Sequence, residues 1–283
     1  MDAGESKNFR VNIKDVFKEK NPKLARLIPG FIFRYVKKVI HEDFINDFLQ
    51  RHGDKYGVPF ANAAILENNV TIEVKGQENI PDSGRYIFAA NHPLGGFDGI
   101  IFIKVLDQMG FKFKVLVNDI LMNIRNLEPV FIPLNKHGSL SRDAIIELDK
   151  VFDSELQLVS FPSGMVSRRI KGEITDLEWQ KNFIVKSIAH KRDIIPVHFS
   201  GRNSSFFYNL YSIRKFLGIK ANIEMFYLMD ETLKHNNETI TVTFGKPISC
   251  LTFDKSLKPK EWASRIKDHV YKLPDNPGVE FKK

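Results

Sequence analysis

From residue 70 onward the hydrophobic positions keep changing period. Short runs rich in β-branched and aromatic residues have the length and composition of strands: "VTIEVKG" (70–76), "RYIFAAN" (85–91), "KFKVLVN" (112–118), "PVFIPLN" (129–135), "LQLVSFP" (156–162), "IIPVHFS" (194–200) and "TITVTFG" (239–245). Between them, residues 98–109, 119–126, 139–153, 178–191 and 259–272 carry helical patterns. Strands separated by helices predict an α/β fold, with a mostly parallel central sheet of about seven strands flanked by helices.

The first 60 residues follow a different pattern. Ile28, Phe31, Ile32, Tyr35, Val36 and Val39 fall at helical spacing, with Arg34, Lys37 and Lys38 off that stripe. Phe44, Ile45, Phe48 and Leu49 give a second helical pattern before "RHGDKYGVP" interrupts it. The chain thus divides into a short helical N-terminal region, 1–60, and an α/β domain, 61–283. Residues 204–220, "SSFFYNLYSIRKFLGIK", repeat the N-terminal design: Phe206, Phe207, Leu210, Ile213 and Leu217 run beside Arg214 and Lys215. An apolar stripe bordered by cations suits a helix lying on an anionic membrane, and also an ordinary helix facing a core.

Composition narrows the partners. A net charge of +8 suits nucleic acid, an anionic membrane surface, or acidic molecules such as phosphorylated cofactors and acidic carrier proteins. The sequence contains no recognisable nucleic-acid module, so no nucleic-acid partner is expected. No uncharged apolar run is long enough to span a bilayer, and the start, "MDAGESKNFRVNIKD", lacks the pattern of a leader. Cys250, the single cysteine, excludes an internal disulfide and a cysteine-built metal site, and a cytoplasmic setting fits.

Polar residues gather where the predicted strands end, in "NHPLGGFD", "IPLN", "FPSG" and "HFSGRN". That edge of a parallel sheet is where ligands bind. His92 and Asp98 stand six positions apart around Pro93 and Gly95-Gly96. Imidazole is the natural general base near neutral pH, and a carboxylate on its other nitrogen fixes the tautomer. The alternative is an N-cap aspartate beside a loop histidine. Ser163 invites a serine-nucleophile reading, but no G-x-S-x-G elbow surrounds it and Pro162 precedes it. His190 reads as a helix-end residue and His198 as a strand histidine, and no metal site is expected.

In order along the chain, "ANHPLGGFDG" (90–99), "VFIPLN" (130–135), "VSFPSGMVSRR" (159–169) and "DIIPVHFSG" (193–201) resemble the signature blocks of the glycerolipid (lysophospholipid) acyltransferase superfamily. The likeness covers about residues 85–201 and is greatest to the hemolysin-like branch, which includes enzymes acylating lyso-ornithine and lyso-glycine lipids. It implies an O-acyltransferase that moves an acyl chain from acyl-CoA or acyl carrier protein to a lyso-lipid hydroxyl, with no further cofactor. His92 becomes the general base and Asp98 its partner. Asn91, Gly95, Gly96, Asn135, Ser163 and Gly164 shape the site, and Arg168 and Arg169 contact the donor phosphates. The turn at Gly164, or alternatively Gly95-Gly96, would stabilise the oxyanion.

Three departures modify that picture. Five residues rather than four separate His92 from Asp98, Ser163 replaces the usual glutamate, and Leu134-Asn135 stand where an arginine is assigned to the acceptor phosphate. Loss of that cation favours an aminoacyl or other lyso-lipid over a phosphate monoester. The resemblance also implies a peripheral protein on the cytoplasmic face of the inner membrane, with a membrane lipid as acceptor. A non-catalytic, basic, lipid- or membrane-binding protein on the same scaffold is the rival reading, and the His92–Asp98 distance separates the two.

Overall fold

The computed structural model describes residues 10–20, 22–118, 121–134 and 142–283. Five helices come first: α1 (Ile13–Lys20), α2 (Pro22–Leu27), α3 (Gly30–Val39), α4 (Glu42–His52) and α5 (Val58–Glu67). Strands and helices then alternate. The order is β1 (Thr71–Lys75), β2 (Tyr86–Ala90), α6 (Gly96–Gln108), β3 (Phe113–Val117), β4 (Phe131–Pro133), α7 (Arg142–Asp153) and β5 (Gln157–Ser160). It continues with β6 (Arg168–Ile170), β7 (Glu173–Thr175), α8 (Asn182–His190), β8 (Asp193–Phe199), α9 (Ser205–Phe216), α10 (Leu228–Lys234), β9 (Thr239–Phe244) and α11 (Pro259–Val270).

Seven strands build the main sheet in the order β1-β9-β8-β2-β5-β3-β4. Every pairing is parallel except β8 with β9, so the sheet is mostly parallel, as its pattern predicts. β6 and β7 form a separate antiparallel hairpin. At the centre, all five residues of β2 are buried. Phe88 packs on one face, its ring meeting those of Phe102 and Phe244 at centroid distances of 5.8 and 6.0 Å. Ile87 and Ala89 point to the other face, into a core shared with Leu158, Trp179, Ile194 and Trp262. Burial on both faces is what allows these strands to be continuously apolar.

One expected helix takes another form. Within 119–126, the described residues form short 3₁₀ turns, Leu121–Asn123 and Arg125–Val130. Asn126 explains this, because its side chain donates to the carbonyls of Gly53 (3.1 Å) and Lys55 (2.7 Å) while its own carbonyl accepts from Gly57 N–H (2.7 Å). These bonds hold the segment against the α4–α5 connection.

At the opposite end of the sheet from the predicted site, Arg192 is fully buried and closes the end of α7. Its guanidinium donates to the carbonyls of Phe152 (2.6 Å) and Leu156 (2.8 Å), and to that of Ser154. Burial among neutral carbonyls lowers its pKa to about 10, which leaves it charged at neutral pH.

His198, on β8, sits edge-on to the Tyr271 ring at 5.7 Å. Burial pulls its pKa down to about 4, so the fold favours the neutral ring. An unfolded histidine titrates near 6.5, so this contribution is complete above that pH and disappears as pH falls towards 4. Urea unfolding should therefore show roughly 2 kcal/mol less stability from this residue at about pH 4.5 than at about pH 7.5. His198→Phe should flatten the pH dependence by that amount.

Candidate active site

The site begins at the carboxyl end of β2. Asn91 continues the strand pairing with its side chain: Nδ2 donates to the Phe199 carbonyl (3.0 Å), and Phe199 N–H donates to Oδ1 (2.7 Å). This buried amide clamps β2 to β8 and so fixes where His92 leaves the sheet.

His92 Nδ1 lies 3.0 Å from Asp98 Oδ2. The same oxygen accepts the Leu94 N–H at 2.9 Å. Asp98 is wholly buried, whereas 16% of the His92 side chain is exposed. Burial raises the Asp98 pKa, and the hydrogen bonds from His92 and Leu94 oppose that rise. With Asp98 ionised, Nδ1 carries the proton and Nε2 holds a lone pair, which is the tautomer a general base requires. The imidazole also lies against the Phe161 ring at a centroid distance of 4.4 Å.

Gly95 accommodates the five-residue spacing. Its φ is +74° and its ψ −137°, a conformation open to glycine alone. A Cβ there would also stand 3.0 Å from Val166 Cγ2 and 3.2 Å from a Leu228 methyl. Gly95 is the N-cap residue of α6, which places Asp98 in the helix's first turn, not at the cap. The carboxylate thus reaches back to both His92 and Leu94. Gly96 is exposed and opens α6.

The remaining predicted residues divide. Ser163 is buried with its hydroxyl donating to the Met165 carbonyl (2.7 Å). Gly164 has a φ of +61° and its N–H donates to the Phe161 carbonyl (2.9 Å), so that amide is taken up by its own turn. At the start of α6 the Asp98 N–H is likewise taken, by the Gly95 carbonyl (3.0 Å), which leaves the Gly96 and Phe97 amides as the candidate oxyanion donors. Asn135 lies outside the described residues. Arg169, partly exposed, donates to Asn209 Oδ1 at 2.9 Å.

Arg168 departs from its expected place against a donor phosphate. It is completely buried, its guanidinium 3.1 Å from Glu224 and over the rings of Phe207 and Tyr211 at 5.0 and 5.1 Å. Glu224 also accepts from Arg214 Nη2 at 3.0 Å. Arg168 is therefore part of an internal ion-pair group joining β6 to α9, out of reach of a bound donor.

Asp176 has no motif to mark it, yet it holds the loop from behind. Its buried carboxylate accepts from His92 N–H (3.1 Å), the Ser167 hydroxyl (2.5 Å) and Trp179 Nε1 (2.8 Å). Ser167 N–H returns a bond to the His92 carbonyl at 2.9 Å. In the sequence an aspartate three residues before Trp179 is the one available sign.

A histidine base with a buried carboxylate partner, at the carboxyl edge of a parallel sheet, is equipped to deprotonate an alcohol. Residues 15–276 match the family model described as acyltransferase, and the chain belongs to that family. It is 50% identical to a lyso-glycine lipid O-acyltransferase of Bacteroides thetaiotaomicron over 94% of this chain and 98% of that one. It is 47% identical to a protein of the same description from Phocaeicola vulgatus, over 94% and 95%. A solved structure, the 1-acyl-sn-glycerophosphate (LPA) acyltransferase PlsC of Thermotoga maritima, aligns with a TM-score of 0.45 at 15% identity, covering 89% of this chain and 95% of that one.

Asp98→Asn keeps an oxygen for the His92 and Leu94 N–H groups but removes the charge that balances an imidazolium. Acyl transfer should fall by about a thousandfold, with the far-ultraviolet circular dichroism unchanged. A loss of less than tenfold would exclude charge balance by Asp98.

Proposed function

We propose that this acyltransferase moves an acyl group from a thioester, acyl-CoA or acyl carrier protein, to the hydroxyl of a lyso-lipid with a glycine head group. His92 Nε2 takes the hydroxyl proton as the alcohol oxygen attacks the thioester carbonyl. The amides at the start of α6 receive the developing oxyanion. Collapse of that intermediate breaks the carbon–sulfur bond, and the imidazolium returns its proton to the departing thiolate. Asp98 balances the imidazolium throughout, and no acyl-enzyme forms. The observation that carries this reading is the 3.0 Å contact between the His92 ring and a carboxylate sealed from water. The acceptor is read from the two relatives of known description.

The reaction is placed at a membrane, on the cytoplasmic face of the inner membrane. No helix of the described residues is long and apolar enough to cross a bilayer. What supports contact with the surface is a continuous apolar face. α3 exposes Phe31 and Tyr35, and α9 with its following turn exposes Phe206, Ile213, Phe216 and Leu217. The two parts are joined, with the Tyr35 and Tyr227 hydroxyls 2.5 Å apart and the Phe206 ring 4.9 Å from that of Tyr227. Arg34, Lys38, Lys215 and Lys220 are exposed along the same segments and suit anionic lipid.

Purified protein given acyl-CoA or acyl carrier protein and a panel of lyso-lipids should form diacylated glycine lipid, and His92→Ala should abolish it. Product formation that persists in His92→Ala would overturn the mechanism. For the membrane face, Phe216→Ser with Leu217→Ser should lower partitioning onto phosphatidylglycerol-containing vesicles by at least about tenfold. Transfer to a detergent-dispersed acceptor should be nearly unchanged in this variant, and unaltered vesicle binding would exclude α9 from the contact.

A further inference from the structure

Beside the catalytic loop lies a polar cavity of about 420 Å³, walled by the β6–β7 hairpin, residues 201–205, the start of α9, and α10 with the residues that follow it. Most charges on its wall already have partners. Lys234 is neutralised by Asp230 and Glu231, each at 2.7 Å. Glu231 also accepts the Ser204 N–H (2.5 Å) and hydroxyl (2.7 Å), and Glu238 meets His235 Nδ1 at 2.6 Å.

Two cations remain. Arg202 is exposed, with no hydrogen bond or ion pair among the described residues, and Arg169 meets neutral groups, Asn209 Oδ1 at 2.9 Å and the Tyr208 ring at 5.6 Å. Ser204, the N-cap residue of α9, and Ser205, its first residue, both line the cavity, and the positive end of that helix is already met by Glu231. Asn203 and His235 close the wall from behind and are nearly fully buried.

A ligand that suits this wall carries a negative charge for the two arginines. An amino acid joined to an acyl chain through its nitrogen keeps one, its free carboxylate. The cavity is also tied to the base. Asn203 Nδ2 donates to the carbonyl of Pro93, the residue after His92, at 3.1 Å. A Cβ on Gly201, on the cavity wall, would stand 3.2 Å from Leu94.

We propose that this cavity seats the N-acylated amino-acid head group of the acceptor, its carboxylate on Arg202 and Arg169. The inference rests on the glycine-lipid reading above and adds to it the place and the recognising residues. It also explains how an acceptor without a phosphate is held once Arg168 is buried: the neighbouring arginine faces the cavity instead.

Calorimetry without acyl donor tests this on the full-length protein, using a short-chain N-(hydroxyacyl)glycine and its methyl ester. The wild-type protein should bind the acid at least about tenfold more tightly than the ester, since the ester loses a charge-assisted contact. Arg202→Gln should weaken binding of the acid by about tenfold or more and leave the ester unaffected. In turnover, the same variant should raise KM for the acceptor and not for acyl-CoA. Equal binding of acid and ester by the wild-type protein overturns the proposal without reference to any variant. A rise in KM for acyl-CoA alone would assign the cavity to the donor's phosphates and overturn it too. If glycine lyso-lipid is acylated normally while Arg202→Gln changes nothing, this inference fails and the proposed function stands. If wild-type protein acylates other lyso-lipids and not this one, both fail.

Discussion

A carboxylate with no access to water is stable only where donors meet it, and Asp98 has two, the His92 ring and the Leu94 N–H, both on the same oxygen. That arrangement dictates much of the surrounding structure. An uncompensated buried charge costs several kcal/mol, so the loop that presents His92 must return close to the point where it left β2. Within the seven residues from His92 to Asp98 the chain has to leave a strand, reverse and enter a helix. Gly95, in a backbone region barred to side chains and packed against Val166 and Leu228, makes the reversal.

The loop is then fixed by three buried polar residues, Asn91 directly before it and Asp176 and Asn203 from two other parts of the chain. Asn91 ties its start to the end of β8, Asp176 takes the His92 N–H, and Asn203 takes hold of the Pro93 carbonyl. Each of these bonds is formed away from bulk water, where an unmet partner costs more than the bond gains. The imidazole is thus left few positions: one nitrogen on Asp98, one face on Phe161, and its partly exposed edge towards the acceptor. Orientation of this kind removes part of the entropic barrier before substrate arrives.

Where sequence and structure agree, the reason is burial. The strands were legible because both faces of a central parallel sheet are covered, so runs such as "YIFAA" contain no polar interruption. The His92–Asp98 pair was legible because its spacing and its glycines are local. Features that depend on distant partners were not. Arg168 and Arg169 are neighbours of identical charge, and their opposite directions on a short strand follow from Glu224, which arrives 56 residues later. Asp176 carries no local signal because its partners, His92, Ser167 and Trp179, lie in three separate segments. α5, "VPFANAAILE", gave little periodic signal because four of its residues are buried, among them the small Ala61 and Ala63.

The ion-pair group of Arg168, Glu224 and Arg214 connects these scales. Arg214 lies in the last turn of α9, the helix that exposes Ile213 and Phe216, and Glu224 follows in the turn after it. Arg168 begins β6, directly after Ser167, whose N–H holds the His92 carbonyl. Pulling Glu224 away would strand two buried guanidinium groups, so α9 and β6 cannot slide past one another without that penalty. The apolar face of α9 therefore keeps a fixed relation to the catalytic loop. The hairpin that carries Arg168 inward also turns Arg169 towards the polar cavity. For an enzyme whose acceptor is part hydrocarbon and part charged head group, such a frame sets the distance from lipid surface to head-group cavity to base. That distance is what brings one particular hydroxyl to Nε2.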